Sequence, residues 1–280
     1  MPDIENYQVY NDRMRRSMWD KAFFMDKIAG TDMIIDYGCA DGSLVRFLSE
    51  LFPAMRFIGF DIDPVMIASA NAQRRENTWF FSTMEEVIEQ LARLNVTGDQ
   101  CAVNFSSVFH EVFHYGFDLS LIRHFLSAIA PQYIVVRDMM YESADGSADG
   151  SAAVSADAVR RVREMLPEEQ VRSFEECFGT IGLRRNMVHF LMKYQYVENW
   201  ERECAENYFS YTMEDLLPVI DPKGQFRRIL LGRYVLPWLR YTVEKDLKID
   251  LGESFTTHYS MILKRYGDEP LIPVDAEDKI

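Results

Sequence analysis

The stretch Ser107 to Gly116, SVFHEVFHYG, holds two imidazoles and a carboxylate within five residues, His110, Glu111 and His114. The spacing is HExxH, in which two histidines one helical turn apart face a single metal and the glutamate polarises a bound water. That chemistry needs a helix interior, whereas His110 follows only four residues after an apparent strand end at Ser106. In the extended form of the motif, Phe117 and Ser120 occupy the places of the required glycine and third histidine. Glu142 is a third ligand by sequence distance alone. No metal is therefore assigned, and a zinc peptidase is the minor reading. The same three side chains suit a second chemistry, alignment of an acceptor and removal of its proton, for which a histidine near neutrality is apt. Capping or packing of the following helix is the plain structural alternative for both histidines.

What must position them is legible upstream. Met33-Ile-Ile-Asp-Tyr37 is a short apolar run closed by Gly38-Cys-Ala-Asp-Gly42, and SLVRFLSELF then runs with helical spacing until Pro53. Arg56 to Asp61 repeats the strand pattern, with Pro64 suited to a first helical position. Trp79 to Phe81, Cys101 to Ser106 and Tyr133 to Asp138 are the third, fourth and fifth strands; Met84 to Leu94 and Leu119 to Ile129 are helices between them. Before the first strand, Asn11 to Ile28 places Met14, Met18, Ala22, Met25 and Ile28 on one helical face. After the fifth, SADGSADGSAA reads as a connection, followed by helical patterns over Ser155 to Met165, Pro167 to Cys177 and Arg185 to Glu206. The sheet resumes with Thr212 as an N-cap, then the strand-like FRRILLGRYVL and HYSMILKRY.

The expectation is an α/β fold: a doubly wound, mostly parallel, seven-stranded sheet with an N-terminal helix and a helical insertion after the fifth strand. Residues 1–142 and 212–280 would form the sheet domain and 143–211 a lid over the crevice at the strands' carboxyl ends. The glycine turn is not GxGxxG, nor does it carry the Gly-Lys-Ser/Thr of a phosphate-binding P-loop.

Here the chain resembles the class I S-adenosylmethionine-dependent methyltransferases, whose first motif is an acidic residue followed by GxGxG after the first strand. Asp36, Gly38 and Gly42 match, with Ala40 in place of the middle glycine, and Asp61 matches the acidic end of the second strand. The resemblance covers Met33 to Asp138 and implies S-adenosylmethionine as cofactor. It implies Gly38, Cys39 and Ala40 against the methionine portion, Asp61 on the ribose hydroxyls, Ile62 on the adenine face and Ser82, Thr83 and Met84 at its edge. Ser106 would flank the methionine portion, and Tyr10 is available to close over the ligand. His110, Glu111 and His114 then fall on the acceptor side.

Net charge of -14 argues against attraction of the whole surface to nucleic acid or anionic lipid. No apolar run is long enough to span a membrane, and the start, MPDIENYQVY, lacks the order of a signal peptide. Four cysteines without CxxC spacing fit reduced thiols, so a cytoplasmic protein is expected. A small-molecule acceptor is the leading expectation. The alternatives are an RNA methyltransferase using Lys223 to Arg240, which has five bases and no acid, or a module that binds S-adenosylmethionine without turnover. The basic segment also reads as the outer face of an edge strand. Oligomeric state leaves no trace in the sequence.

Overall fold

The computed structural model describes residues 17–140, 152–252 and 255–266. Tyr10, Glu142 and nearly all of the SADG connection lie outside them.

Strands β1 (Met33–Tyr37), β2 (Arg56–Phe60), β3 (Thr78–Phe81), β4 (Cys101–Ser106), β5 (Tyr133–Asp138), β6 (Phe226–Tyr234) and β7 (His258–Arg265) form one sheet in the order β3-β2-β1-β4-β5-β7-β6. The first five are parallel; β7 runs antiparallel between β5 and β6. The order reverses between β1 and β4, which creates the crevice at their carboxyl ends where α/β sheets take ligands.

The unbroken apolar runs are explained by burial on both faces. Along β1, Met33 and Ile35 enter one core with Val103, Phe105 and Phe125, while Ile34 enters the opposite core with Leu48, Phe57 and Ile67. Helices α2 (Ser43–Leu51) and α3 (Pro64–Ala72) cover the second core; α4 (Met84–Arg93), α6 (Leu119–Ile129) and α11 (Met213–Ile220) cover the first. Each fully withdrawn Leu, Ile or Phe contributes roughly 1.5–3 kcal/mol, so these two layers hold the crevice rigid. Helix starts follow local rules. Asp63 accepts from the Val65 amide at 2.8 Å with Pro64 first in α3, and Thr212 and Asp215 form a reciprocal capping box on α11.

Two expected helices differ. Within the predicted Asn11 to Ile28 helix, the described part holds only α1 (Met18–Lys21), followed by turns. Turning there lets Phe24 and Ile28 reach the core while Lys21 is drawn inside at 6% exposure. The predicted helix over Arg185 to Glu206 breaks into α9 (Arg184–Lys193), a 3-10 turn (Val197–Asn199) and α10 (Trp200–Ala205). The break is tertiary in origin: the fully buried Lys193 Nζ donates to the carbonyls of Glu203 at 2.6 Å and Glu206 at 2.7 Å, satisfying the end of α10.

The remaining helices α7 (Ala156–Met165), α8 (Glu168–Phe178), α9 and α12 (Pro237–Leu247) share a third core that includes Phe174, Phe190, Leu239 and Val243. Met187, Phe190 and Tyr194 of the insertion pack in this separate core, where α12 supplies the opposing apolar face. The short α5 (Phe109–Tyr115) carries the HExxH residues at the crevice.

Candidate active site

The turn after β1 is shaped by close packing. Gly38, Ala40 and Gly42 all have positive φ, at 77°, 47° and 72°. A Cβ on Gly38 would lie 2.6 Å from Val108, and one on Gly42 would lie 2.4 Å from Phe80. The glycines therefore admit neighbouring side chains. Backbone amides of the turn are already engaged: Gly38 and Cys39 donate to the Phe60 carbonyl at 2.7 and 3.0 Å, and Ala40 donates to Asp61 Oδ2 at 2.8 Å. The Cys39 side chain is buried beside Gly59, in the core.

Asp61 is the hinge of this arrangement. Its second oxygen accepts from the Asp63 amide at 2.9 Å, so the carboxylate ties the turn to the end of β2 and retains lone pairs for further donors. Burial raises its pKa, and the two amides oppose that rise. Ile62 beside it is 67% exposed, an apolar face awaiting cover. Across the crevice, the Ser106 hydroxyl is buried with no hydrogen-bond partner. These three features fit S-adenosylmethionine: a carboxylate for a diol, an apolar surface for a base and an unpaired hydroxyl for a polar end. Thr83 spends its hydroxyl capping α4, accepting from the Glu86 amide at 3.3 Å; Ser82 precedes it, and Met84 is half-buried against the core.

Behind the turn, Asp36 is 4% exposed and receives the Asn104 side-chain amide at 2.7 Å. Burial pushes its pKa up to about 6, against the pull of Asn104 and of Lys21. Lys21 is itself lowered to about 8 by burial and by Arg137. A carboxyl whose folded pKa exceeds its usual value of about 4 stabilises the fold in its protonated form, and that contribution is lost as pH rises through about 6. Asp36→Asn should thus raise stability at pH 7 by about 1–3 kcal/mol, because it removes a buried charge and offers a donor to the unpartnered Asn104 Oδ1. Urea unfolding at pH 7 and pH 4 checks this: the gain should shrink at the lower pH, and a variant less stable than wild type at pH 7 refutes it.

The acceptor side is built around Asp138, which is fully buried at the end of β5. Its Oδ2 accepts from the amides of Val108, Phe109 and His110 at 3.0, 2.6 and 3.3 Å, anchoring the start of α5. Its Oδ1 takes His110 Nδ1 at 2.7 Å and the Met139 amide at 2.8 Å. His110 Nε2 is thereby aimed at Glu206 Oε1, 3.2 Å away. Burial would lower the pKa of His110, but Asp138 and Glu206 outweigh it and raise it to about 10. Glu111 is pushed up to about 7 by burial and by Glu206, while Arg202 holds it through a 3.0 Å ion pair.

His110 and Glu111 border a cavity of about 760 Å³, its open mouth included, together with Lys21, Ser107, Arg137 and Tyr208. Ser107 adopts φ of 61°, uncommon for a residue with a side chain, and its hydroxyl accepts from Arg137 Nη1 at 2.9 Å. Arg137 in turn pairs with Asp20 on α1 at 2.5 Å. His114 diverges from His110, its Nε2 lying 2.7 Å from the Ala205 carbonyl of the insertion. The two histidines do not converge on one point, so the zinc-peptidase constellation is not formed.

Sequence reasoning missed Lys21, Ser107, Arg137, Asp138, Arg202 and Glu206. A strand ending in Arg-Asp beside the crevice was the available signal for Arg137 and Asp138; nothing local marked Arg202 or Glu206. The basic segment from Lys223 falls largely on β6, the edge strand, where Arg228 and Arg233 are exposed.

Comparison with known proteins agrees with this geometry. Residues 34–131 match the sequence-family model described as a methyltransferase domain. Over this stretch the chain is similar to methyltransferase domains. Among solved structures, a SAM-dependent methyltransferase from Mesorhizobium loti is 15% identical, with 89% of this chain and 98% of that chain covered and a TM-score of 0.50. One from Anabaena variabilis is 15% identical, with 95% and 97% covered and a TM-score of 0.48. The plantazolicin methyltransferase BamL, solved with SAH, is 13% identical, with 92% and 88% covered and a TM-score of 0.47. At this identity the likeness to the Mesorhizobium structure speaks to fold alone. No curated protein matches the chain in sequence. The matched stretch runs from β1 to the end of α6, and so includes the glycine turn, Asp61 and the HExxH helix. Among the described residues, no helix is long and apolar enough to cross a membrane.

Proposed function

We propose that the protein is an S-adenosylmethionine-dependent methyltransferase acting on a small-molecule acceptor held beneath the helical insertion. The observation that carries this reading is the contact of two half-sites at one switch point. The Asp61-braced turn touches Val108, and Val108 leads directly into His110 and Glu111 at the cavity wall. A donor lying on the turn would present its methyl group toward that cavity.

Asp61 would hold the ribose hydroxyls, Ile62 the adenine and Ser106 the methionine portion. The bound sulfonium supplies an already activated methyl group. The chain's task is alignment and, where the acceptor carries a proton, its removal. Glu111 is placed for that removal, since its side chain is 25% exposed while that of Glu206 is 3% exposed. His110, clamped between two carboxylates, would orient rather than deprotonate. His114 remains linked to the insertion through Ala205 and is the weaker candidate.

The insertion favours a small acceptor because Arg202, Glu206 and Tyr208 close one side of the cavity. Parallel calorimetric titrations with S-adenosylmethionine and NADH test the cofactor, with binding expected for the first. Preferential NADH binding overturns the proposal. Incubation with labelled methyl donor and small-molecule extract tests turnover; cofactor binding with no labelled product would reduce the protein to a binding module. Labelled RNA, bound in a salt-sensitive way, would instead point to the basic edge strand.

A further inference from the structure

We propose that His110, Glu111 and Glu206 bind a divalent transition-metal cation at the wall of the acceptor cavity. Their candidate ligand atoms lie within 4.8 Å of one another. Atoms sharing one ion at about 2.1 Å sit roughly 3–4.4 Å apart, so a small inward movement of the partly open Glu111 completes the set.

Three independent features point to an ion. Glu206 is 2% exposed, and its Oε1, which has no partner of good hydrogen-bond geometry, stands at an ion-pair distance of 3.2 Å from His110 Nε2, a separation that neighbouring ligands of one ion also have. Asp138 grips Nδ1 at 2.7 Å, which leaves Nε2 as the outward nitrogen, the carboxylate–histidine arrangement that orients metal-bound imidazoles. Charge is also unbalanced. Among the described residues, the connected carboxylates Glu111, Asp138, Glu203 and Glu206 pair with Lys193, Arg202 and His110, and two negative charges are left once an ion displaces the His110 proton. A divalent ion offsets both. One nitrogen with carboxylate oxygens suits Mn²⁺, Fe²⁺ or Zn²⁺ better than Mg²⁺ or Ca²⁺, which favour oxygen alone.

The site is distinct from the peptidase pattern, since His114 is turned away and Glu206 comes from the insertion. It ties the insertion to α5 and places a charge where an acceptor would sit. Given the methyltransferase reading, on which this one consequence rests, the ion selects an acceptor with a hydroxyl or carboxylate oxygen to join it. Coordinated through one oxygen, Glu111 keeps the other for the acceptor's proton.

The test is Mn²⁺ binding to the chelator-stripped full chain, read by calorimetry and by the loss of the free-ion paramagnetic resonance signal. One Mn²⁺ per chain is expected, with affinity at least tenfold weaker in E206Q and in E111Q. Should E206Q fail to fold by circular dichroism, the more exposed E111Q carries the comparison. Absence of binding by wild type at millimolar Mn²⁺, or unchanged affinity in both variants, overturns the proposal. S-adenosylmethionine is titrated into the same stripped protein: cofactor binding without Mn²⁺ binding sinks the ion site alone, and Mn²⁺ binding without cofactor binding sinks the methyltransferase reading alone.

Discussion

Asp138→Asn is expected to destabilise the protein by about 3–5 kcal/mol, the range for breaking a buried charged network by changing one partner. The reason is the arithmetic of donors. Asp138 accepts from four backbone amides and one imidazole nitrogen while fully buried. An asparagine must turn its NH₂ toward one of those two groups of donors, leaving buried N–H groups facing N–H groups with no water to rescue them. In one orientation the start of α5 loses its anchor; in the other His110 loses the partner that sets its tautomer. Urea unfolding at pH 7 measures the loss, with the slope against denaturant unchanged if the native state keeps its compactness. Methyl transfer should fall with it, since His110 and Glu111 depend on the same anchor. A loss under about 1 kcal/mol would mean that the array relaxes cheaply and does not position the site.

Asp61→Ala should weaken S-adenosylmethionine binding by at least about a hundredfold. Two hydrogen bonds from ribose hydroxyls to a carboxylate are each worth about 1.5–3 kcal/mol, and about 2.8 kcal/mol corresponds to a hundredfold. A second effect adds to the first. The same carboxylate ties Ala40 at 2.8 Å and Asp63 at 2.9 Å, so its removal also frees the turn that must hold its shape before binding. Asp61→Asn keeps one acceptor oxygen and should fall between wild type and alanine. Calorimetry on the three proteins decides it; equal affinity across the series would remove Asp61 from the cofactor site and take the proposed function with it.

Much of the fold could be read before any coordinates because its signals are local. Apolar runs bounded by turns marked β1 to β5, and the i, i+3, i+4 recurrences marked α4, α6, α7 and α8 to within a residue or two. The acid closing β2 and the small residues after β1 likewise sit in short contiguous stretches. Where local and tertiary preferences conflict, the reading failed. Arg185 to Glu206 is helical by pattern, yet it breaks because Lys193 makes better bonds with carbonyls ten and thirteen residues away than continued helix would allow. The packing around the glycines after Tyr37 was equally out of reach, because Val108 and Phe80, which approach Gly38 and Gly42, are remote in the chain.

The sequence by itself determined the layered architecture and the place of the crevice. These follow from periodicity, turn stereochemistry and hydrophobic burial, which act over a few residues at a time. Only the tertiary structure decided what surrounds His110 and Glu111. Asp138 lies 28 residues from His110, and Arg202 lies 91 residues from Glu111. An ionisable group takes its charge and direction from the groups that surround it in space. Chain order says nothing of those distances until the sheet has brought β5 and the insertion to α5.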